Sequence, residues 1–135
     1  MTKYQGTCHC GAVKLEATLD LSVVTRCNCT VCTKTMYTSA QCKPEQFKLL
    51  AGEAELSTYQ WGAKIGTRYF CKHCGVQLYC AGTLEELGGA FVSVNVSALE
   101  GVEVHELALK HWDGRHDNWY AGMRDTPWPI YRAAS

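Results

Sequence analysis

Hydrophobic and polar residues alternate through "AVKLEATL", residues 12–19. Val13, Leu15, Ala17 and Leu19 share one face, while Lys14, Glu16 and Thr18 share the other, which predicts a half-buried strand. The same kind of signal recurs in "LSTYQW", "TRYFC", "VQLYC", "FVSVNVSAL" and "VEVHELALKHW". Gly-containing or polar breaks such as "WGAKIG", "CAGT", "EELGG" and "WDGRHDN" separate these runs. The pattern predicts a mainly β fold of roughly eight short strands. Helical signals are few: "KPEQFKLL" predicts one turn after Pro44, and "TLEELGG" a short helix opened by Thr83 and stopped by Gly88. The end "TPWPIYRAAS", residues 126–135, reads as an extended tail whose prolines break regular structure. There is no long repeat and no low-complexity linker, and 135 residues suffice for a sizeable core. A single domain spanning 1–135 is expected.

Charge narrows the partners. Thirteen basic and thirteen acidic residues cancel, and neither sign forms a block, so no nucleic acid or anionic membrane is expected as partner. A small molecule or a protein is. No apolar run approaches the roughly eighteen residues that span a bilayer, and "MTKYQGTCHCG" lacks the apolar stretch of a signal peptide. These features predict an intracellular, cytoplasmic protein. In a reducing compartment nine cysteines, an odd number, do not read as a disulfide framework. Their tight spacings are those of metal ligands.

On a strand, residues i and i+2 point the same way, so Cys8 with Cys10, and Cys27 with Cys29, can each aim two sulfurs at one ion. In "CKHCG" the C-x-x-C spacing of Cys71 and Cys74 suits a tight knuckle, with Gly75 free to take the turn angle. Two plus two makes a closed, structural zinc site from Cys8, Cys10, Cys71 and Cys74; the alternative is four buried free thiols. Cys27, Cys29 and Cys32 then form a three-ligand set with an open fourth position, the pattern of a catalytic zinc. Cys42 or Cys80 could close that set into a second structural site. Cys80 shares the parity of Val76 and Leu78, however, and Cys42 that of Ala40, which marks both as small core residues. His9 and His73 lie inside cysteine pairs whose geometry is already filled and are not counted as ligands. Two zinc ions per chain are expected.

The densest supply of proton-transfer groups is "KHWDGRHDNWY", where His111, Asp113 and Arg115 are the candidate catalytic residues, with His116 and Asp117 beside them. The competing reading makes "DG" a turn whose charged neighbours are solvated. His111 shares its face with Leu107 and Leu109, as a core histidine would. Trp61, Trp112, Trp119 and Tyr120 could line an apolar pocket or belong to the core, and Tyr37 and Thr38 could face the open cluster. An open zinc can bind a thiol as thiolate or polarise a carbonyl oxygen. Three thiolates leave the ion with a net charge of minus one, which favours the first role; a zinc-bound water is the competitor.

"GTCHCGAV" at 6–13, "CNCTVC" at 27–32, "LAGEAELSTYQWG" at 50–62 and "RYFCKHCG" at 68–75 resemble, in the same order, the glutathione-dependent formaldehyde-activating enzymes, whose domain also occurs in centromere protein V. The resemblance implies a zinc-bearing, tent-like domain of short antiparallel strands. It implies a closed site at Cys8, Cys10, Cys71 and Cys74, and a three-cysteine site at Cys27, Cys29 and Cys32. The implied activity joins glutathione and formaldehyde into S-hydroxymethylglutathione, a carbon–sulfur lyase reaction. The expectation is therefore a zinc-dependent lyase acting on a thiol adduct of a small carbonyl compound, with glutathione as candidate substrate. Two alternatives stand beside it: a non-catalytic, zinc-stabilised interaction module, and a zinc lyase or hydrolase that uses bound water on a different small molecule.

Overall fold

A computed structural model describes residues 1–130. Its elements in chain order are β1 (Thr2–Thr7), β2 (Lys14–Leu19), β3 (Val24–Cys27), helix α1 (Thr30–Thr35), β4 (Ser39–Cys42), β5 (Phe47–Ala51), β6 (Leu56–Tyr59), β7 (Gly66–Cys71), β8 (Gln77–Leu84), β9 (Gly89–Asn95) and β10 (Leu109–Trp112). They form a three-stranded sheet, β1-β2-β5, and a seven-stranded sheet, β10-β3-β4-β9-β8-β7-β6. All neighbours run antiparallel except β10, which lies parallel to β3 with Trp112 opposite Cys27. Among the described residues no helix is long and apolar enough to cross a membrane.

One buried cluster joins the sheets. Leu15, Ala17 and Leu19 of β2 meet Ala40 of β4, Leu78 of β8 and Val92 and Val94 of β9. On the central strands the two-residue period then separates two environments. Val92 and Val94 face the core, whereas Phe91 and Ser93 line a cavity on the opposite face of the large sheet. Ala40 and Cys42 likewise belong to the core, and Ser39 and Gln41 to the cavity wall.

Cys80 departs from its expected core position. Pairing runs from Tyr69–Tyr79 to Phe70–Gln77, so Leu78 has no opposite residue and forms a bulge, which reverses the parity that follows it. Cys80 consequently pairs with Ser93 and lines the cavity. Elsewhere local hydrogen bonding shortens the expected strands. Asn95 accepts from the Ser97 amide and turns "VSA" into a 3₁₀ turn. Glu103 does the same to Val104–Glu106, leaving only Leu109–Trp112 as strand. In "TLEELGG" the helical piece is a 3₁₀ turn over Glu85–Leu87, with Leu84 rather than Thr83 at its start and Gly88 at φ 89° ending it. The turn after Pro44 covers Pro44–Gln46 and leads into β5. Of the expected tail, residues 131–135 lie outside the described residues. The preceding stretch packs back on β10: the Trp128 indole donates to the His111 carbonyl, and Arg124 stacks over the Trp128 ring.

Candidate functional site

The two C-x-C pairs do not sit within strands as the spacing suggested. β1 ends at Thr7, so Cys8 and Cys10 occupy a turn closed by the Gly11 amide on the Cys8 carbonyl. Cys71 ends β7 and Cys74 lies in the following turn, where the Gly75 amide bonds the Cys71 carbonyl and Gly75 has φ 77°. The four sulfurs lie within 4.8 Å of one another. Cys10 Sγ is 3.7 Å from Cys8 Sγ and 3.6 Å from Cys71 Sγ. A tetrahedral zinc with Zn–S near 2.3 Å sets its ligand sulfurs about 3.8 Å apart, so this donor set fits that ion. The Val13 and His73 amides donate to Cys8 Sγ and Cys71 Sγ. Backbone amides of Cys10 and Val76 pull the Cys74 thiol down to about 6. His9 and His73 are exposed, and His73 pairs with Glu55.

Cys27 ends β3, Cys29 caps α1 and Cys32 lies in the helix. This strand-to-helix corner brings their sulfurs within 4.8 Å of one another, and neither Cys42 nor Cys80 joins them. The packed thiols share protons unequally. Hydrogen bonds from Cys27 and Cys32 hold Cys29 down at about 2, while giving its proton to Cys29 pushes Cys27 up to about 11. Three converging cysteine sulfurs are suited to a soft or borderline cation. Gly114 supports the same fit: a Cβ there would stand 2.4 Å from Cys27 Sγ and 2.8 Å from the Trp119 ring, so the chain approaches this sulfur as closely as a glycine allows.

The three cysteines open onto a cavity of about 430 Å³, within the range of small-molecule sites. Trp61, Phe91, Trp112 and Trp119 supply apolar wall, and Lys64, Arg68 and Arg115 supply positive charge. Tyr37 lines it too, its hydroxyl donating to the Ser93 carbonyl. Thr38 is buried and accepts from Arg26. Tyr120 is 86% exposed and outside the cavity.

Of the three expected catalytic residues, Arg115 alone lines the cavity. His111 sits on β10, exchanging backbone hydrogen bonds with Arg124, and burial with nearby Arg26 and Arg124 lowers its pKa. Asp113 is buried inside its own loop and accepts from the side chains of Asn28 (2.8 Å), His116 (2.7 Å) and Asn118 (3.3 Å). Desolvation acts against its charge, yet these donors hold its carboxyl below the ordinary value. The charged neighbours of "DG" are thus neither simply solvated nor gathered as an acid–base set.

Asn28, the middle residue of "CNC", is what sequence reasoning missed. All four of its polar groups bond to residues 112–115: its amide to the Trp112 carbonyl, Nδ2 to Asp113, Oδ1 from the Arg115 amide, and its carbonyl from Arg115 Nε. The parallel strands β3 and β10 end together, so these loops leave the sheet side by side. Asp113→Asn, which sets an amide against donors, is expected to cost about 1–3 kcal/mol. Because the folded-state pKa is lowered, the carboxylate's contribution is present above the unfolded value of about 3.9 and lost below it. The gap in melting temperature between wild type and variant should therefore shrink as pH falls below about 4; a gap constant with pH would contradict the clamp.

A family described as "Glutathione-dependent formaldehyde-activating enzyme" matches residues 3–115, a span that holds both cysteine clusters and the Asn28 clamp as far as Arg115. Among solved structures, the crystal structure of a Rhodobacter sphaeroides protein, a structural-genomics target, is similar to this chain. It has 30% sequence identity and a TM-score of 0.68, over 75% of this chain and 92% of that one.

Proposed function

The chain belongs to the glutathione-dependent formaldehyde-activating enzyme family, and from that premise we propose that it is a zinc-dependent carbon–sulfur lyase joining a thiol to a small carbonyl compound. Glutathione and formaldehyde are the first candidates. One observation carries the reading: Cys27, Cys29 and Cys32 converge, with no fourth ligand among the described residues, and face a cavity. Zinc held by these three sulfurs would supply an open coordination position at which a thiol is taken up as thiolate. Cys8, Cys10, Cys71 and Cys74 would hold a second, structural zinc.

The chain's own residues do the rest. Tryptophans 61, 112 and 119 exclude water from the reacting carbon. Lys64 and Arg115 offer positive charge to a substrate carboxylate, and Arg115 stays in place because Asn28 and Thr33 hold its guanidinium. Asp113 positions that loop and does not meet substrate; His111 has no part in the step. In the reaction the sulfur forms a bond to the carbonyl carbon, the C=O π pair moves to oxygen, and oxygen takes a proton equivalent to the one the thiol lost. Asp117, the one carboxylate among the described residues lining the cavity, is the proposed carrier.

Calorimetry in two buffers of different ionisation enthalpy tests this reading. Free thiols have pKa values near 8.5, so binding as thiolate at pH 7 should release about one proton per thiol. Glutathione should bind more tightly than 2-mercaptoethanol if Lys64 and Arg115 meet its carboxylates. Zinc-loaded protein that binds neither thiol would mean that both metals are structural.

A further inference from the structure

Arg68, on β7, is 8% exposed, and none of the ion pairs among the described residues involves it. Its Nη2 donates to Cys32 Sγ at 2.9 Å and its Nη1 to Gln77 Oε1 at 3.2 Å. The guanidinium carbon stands 4.9 Å from the centre of the Tyr37 ring, and that ring is itself fixed through its hydroxyl to the Ser93 carbonyl. A buried guanidinium without a carboxylate is costly unless another anion faces it. The sulfur it meets belongs to Cys32, and a protonated thiol there is not that anion. Three thiolates around a divalent cation are, since the centre then carries one net negative charge.

We infer that Arg68 is a positioning residue of the three-cysteine centre, a built-in counter-ion that bonds the Cys32 sulfur and lets the centre accept an anionic fourth ligand. This rests on the metal reading proposed above. A thiolate entering the open position raises the centre's charge to minus two, and Arg68 returns the ensemble to minus one. A neutral ligand such as imidazole needs no such help. Arg68 therefore biases the site toward thiols over neutral donors by charge, in addition to any selectivity from cavity shape. Partners of this kind around metal ligands typically hold 10–100-fold in metal affinity.

The experiment uses cobalt-loaded full-length protein, with the two clusters assigned by Cys29→Ser. Arg68→Gln should weaken cobalt binding at Cys27, Cys29 and Cys32 by about 10–100-fold and leave the four-cysteine cluster unchanged. The sulfur-to-cobalt charge-transfer band should move to longer wavelength as Cys32 loses its donor. Affinity for 2-mercaptoethanol should fall at least about tenfold relative to imidazole. Unaltered affinity, band and thiol-to-imidazole ratio would overturn the inference. If Arg68→Gln loses both cobalt ions through misfolding, Arg68→Lys decides. It keeps the charge without the guanidinium fork, so its band should shift while most of its thiol preference remains, and an unshifted band with unchanged cobalt affinity would count against Arg68. Wild-type protein that takes cobalt only at the four-cysteine cluster would reject the metal reading itself, and this inference with it.

Discussion

Cys71→Ser is expected to remove one zinc and most of the protein's thermal stability. Cys71 is fully buried at the end of β7, and its sulfur lies 3.6 Å from that of Cys10, which follows β1. The four-cysteine cluster therefore ties the three-stranded sheet to the seven-stranded one at a point where the sheets share no backbone hydrogen bonds. Serine oxygen is a poor replacement for thiolate at zinc, and the remaining three sulfurs would hold the ion weakly. Loss of a metal belongs to the most destabilising class of single change, about 4 kcal/mol or more, or on the order of 15 °C in Tm for a chain of this size. Wild type stripped by a chelator should melt close to the variant. A variant that melts like wild type and still carries two zincs would refute the structural assignment.

Cys29→Ser should do the reverse. Cys29 is only half-buried and stands at the cavity rather than in the core. Metal content should fall from two to one, circular dichroism should be preserved, and Tm should fall by only a few degrees, the scale of about 1 kcal/mol. Turnover of thiol and aldehyde should drop by at least about a thousandfold, more than the 10–100-fold at stake in a residue that merely supports a ligand. Full turnover in a variant proven to have lost that metal would remove zinc from the chemistry.

The sequence made some of this legible and hid the rest for physical reasons. β2 is readable because one of its faces is core and the other solvent, so Leu15, Ala17 and Leu19 are buried in strict alternation. β4 and β9 are covered on both faces, and in β9 Phe91 through Val94 are all buried. In β9 the alternation of Val92 and Val94 with Ser93 is legible, but it separates core from cavity and not core from solvent, which the sequence does not tell apart. The cysteines group in space as their spacing suggests, but at strand ends, on turns and at a helix start, because local hydrogen bonding rather than strand parity orients them. Cys80 was misplaced by a one-residue bulge that no periodicity announces. Asn28 and Asp113 are 85 residues apart, and nothing in either segment names the other. Arg68 had one faint signal, a lone cation amid the apolar residues of "RYFC", and only the fold reveals the sulfur it meets.

The parallel pairing of β10 with β3 also orders events on the ribosome. Cys27, Cys29 and Cys32 emerge together, after Cys8 and Cys10, and their tripod can form as soon as α1 does. Arg68 follows Cys32 by 36 residues, and Asp113 follows Asn28 by 85. Until Cys71 and Cys74 emerge, the first pair lacks its partners, and a metal ion met then could bridge Cys8 or Cys10 to the tripod. Long-range strand pairing is slow to form, and incompletely assembled chains are the ones that trap non-native contacts. The late arrival of Cys71 and Cys74 would therefore make the timing of metal delivery, and not only metal supply, a determinant of correct assembly.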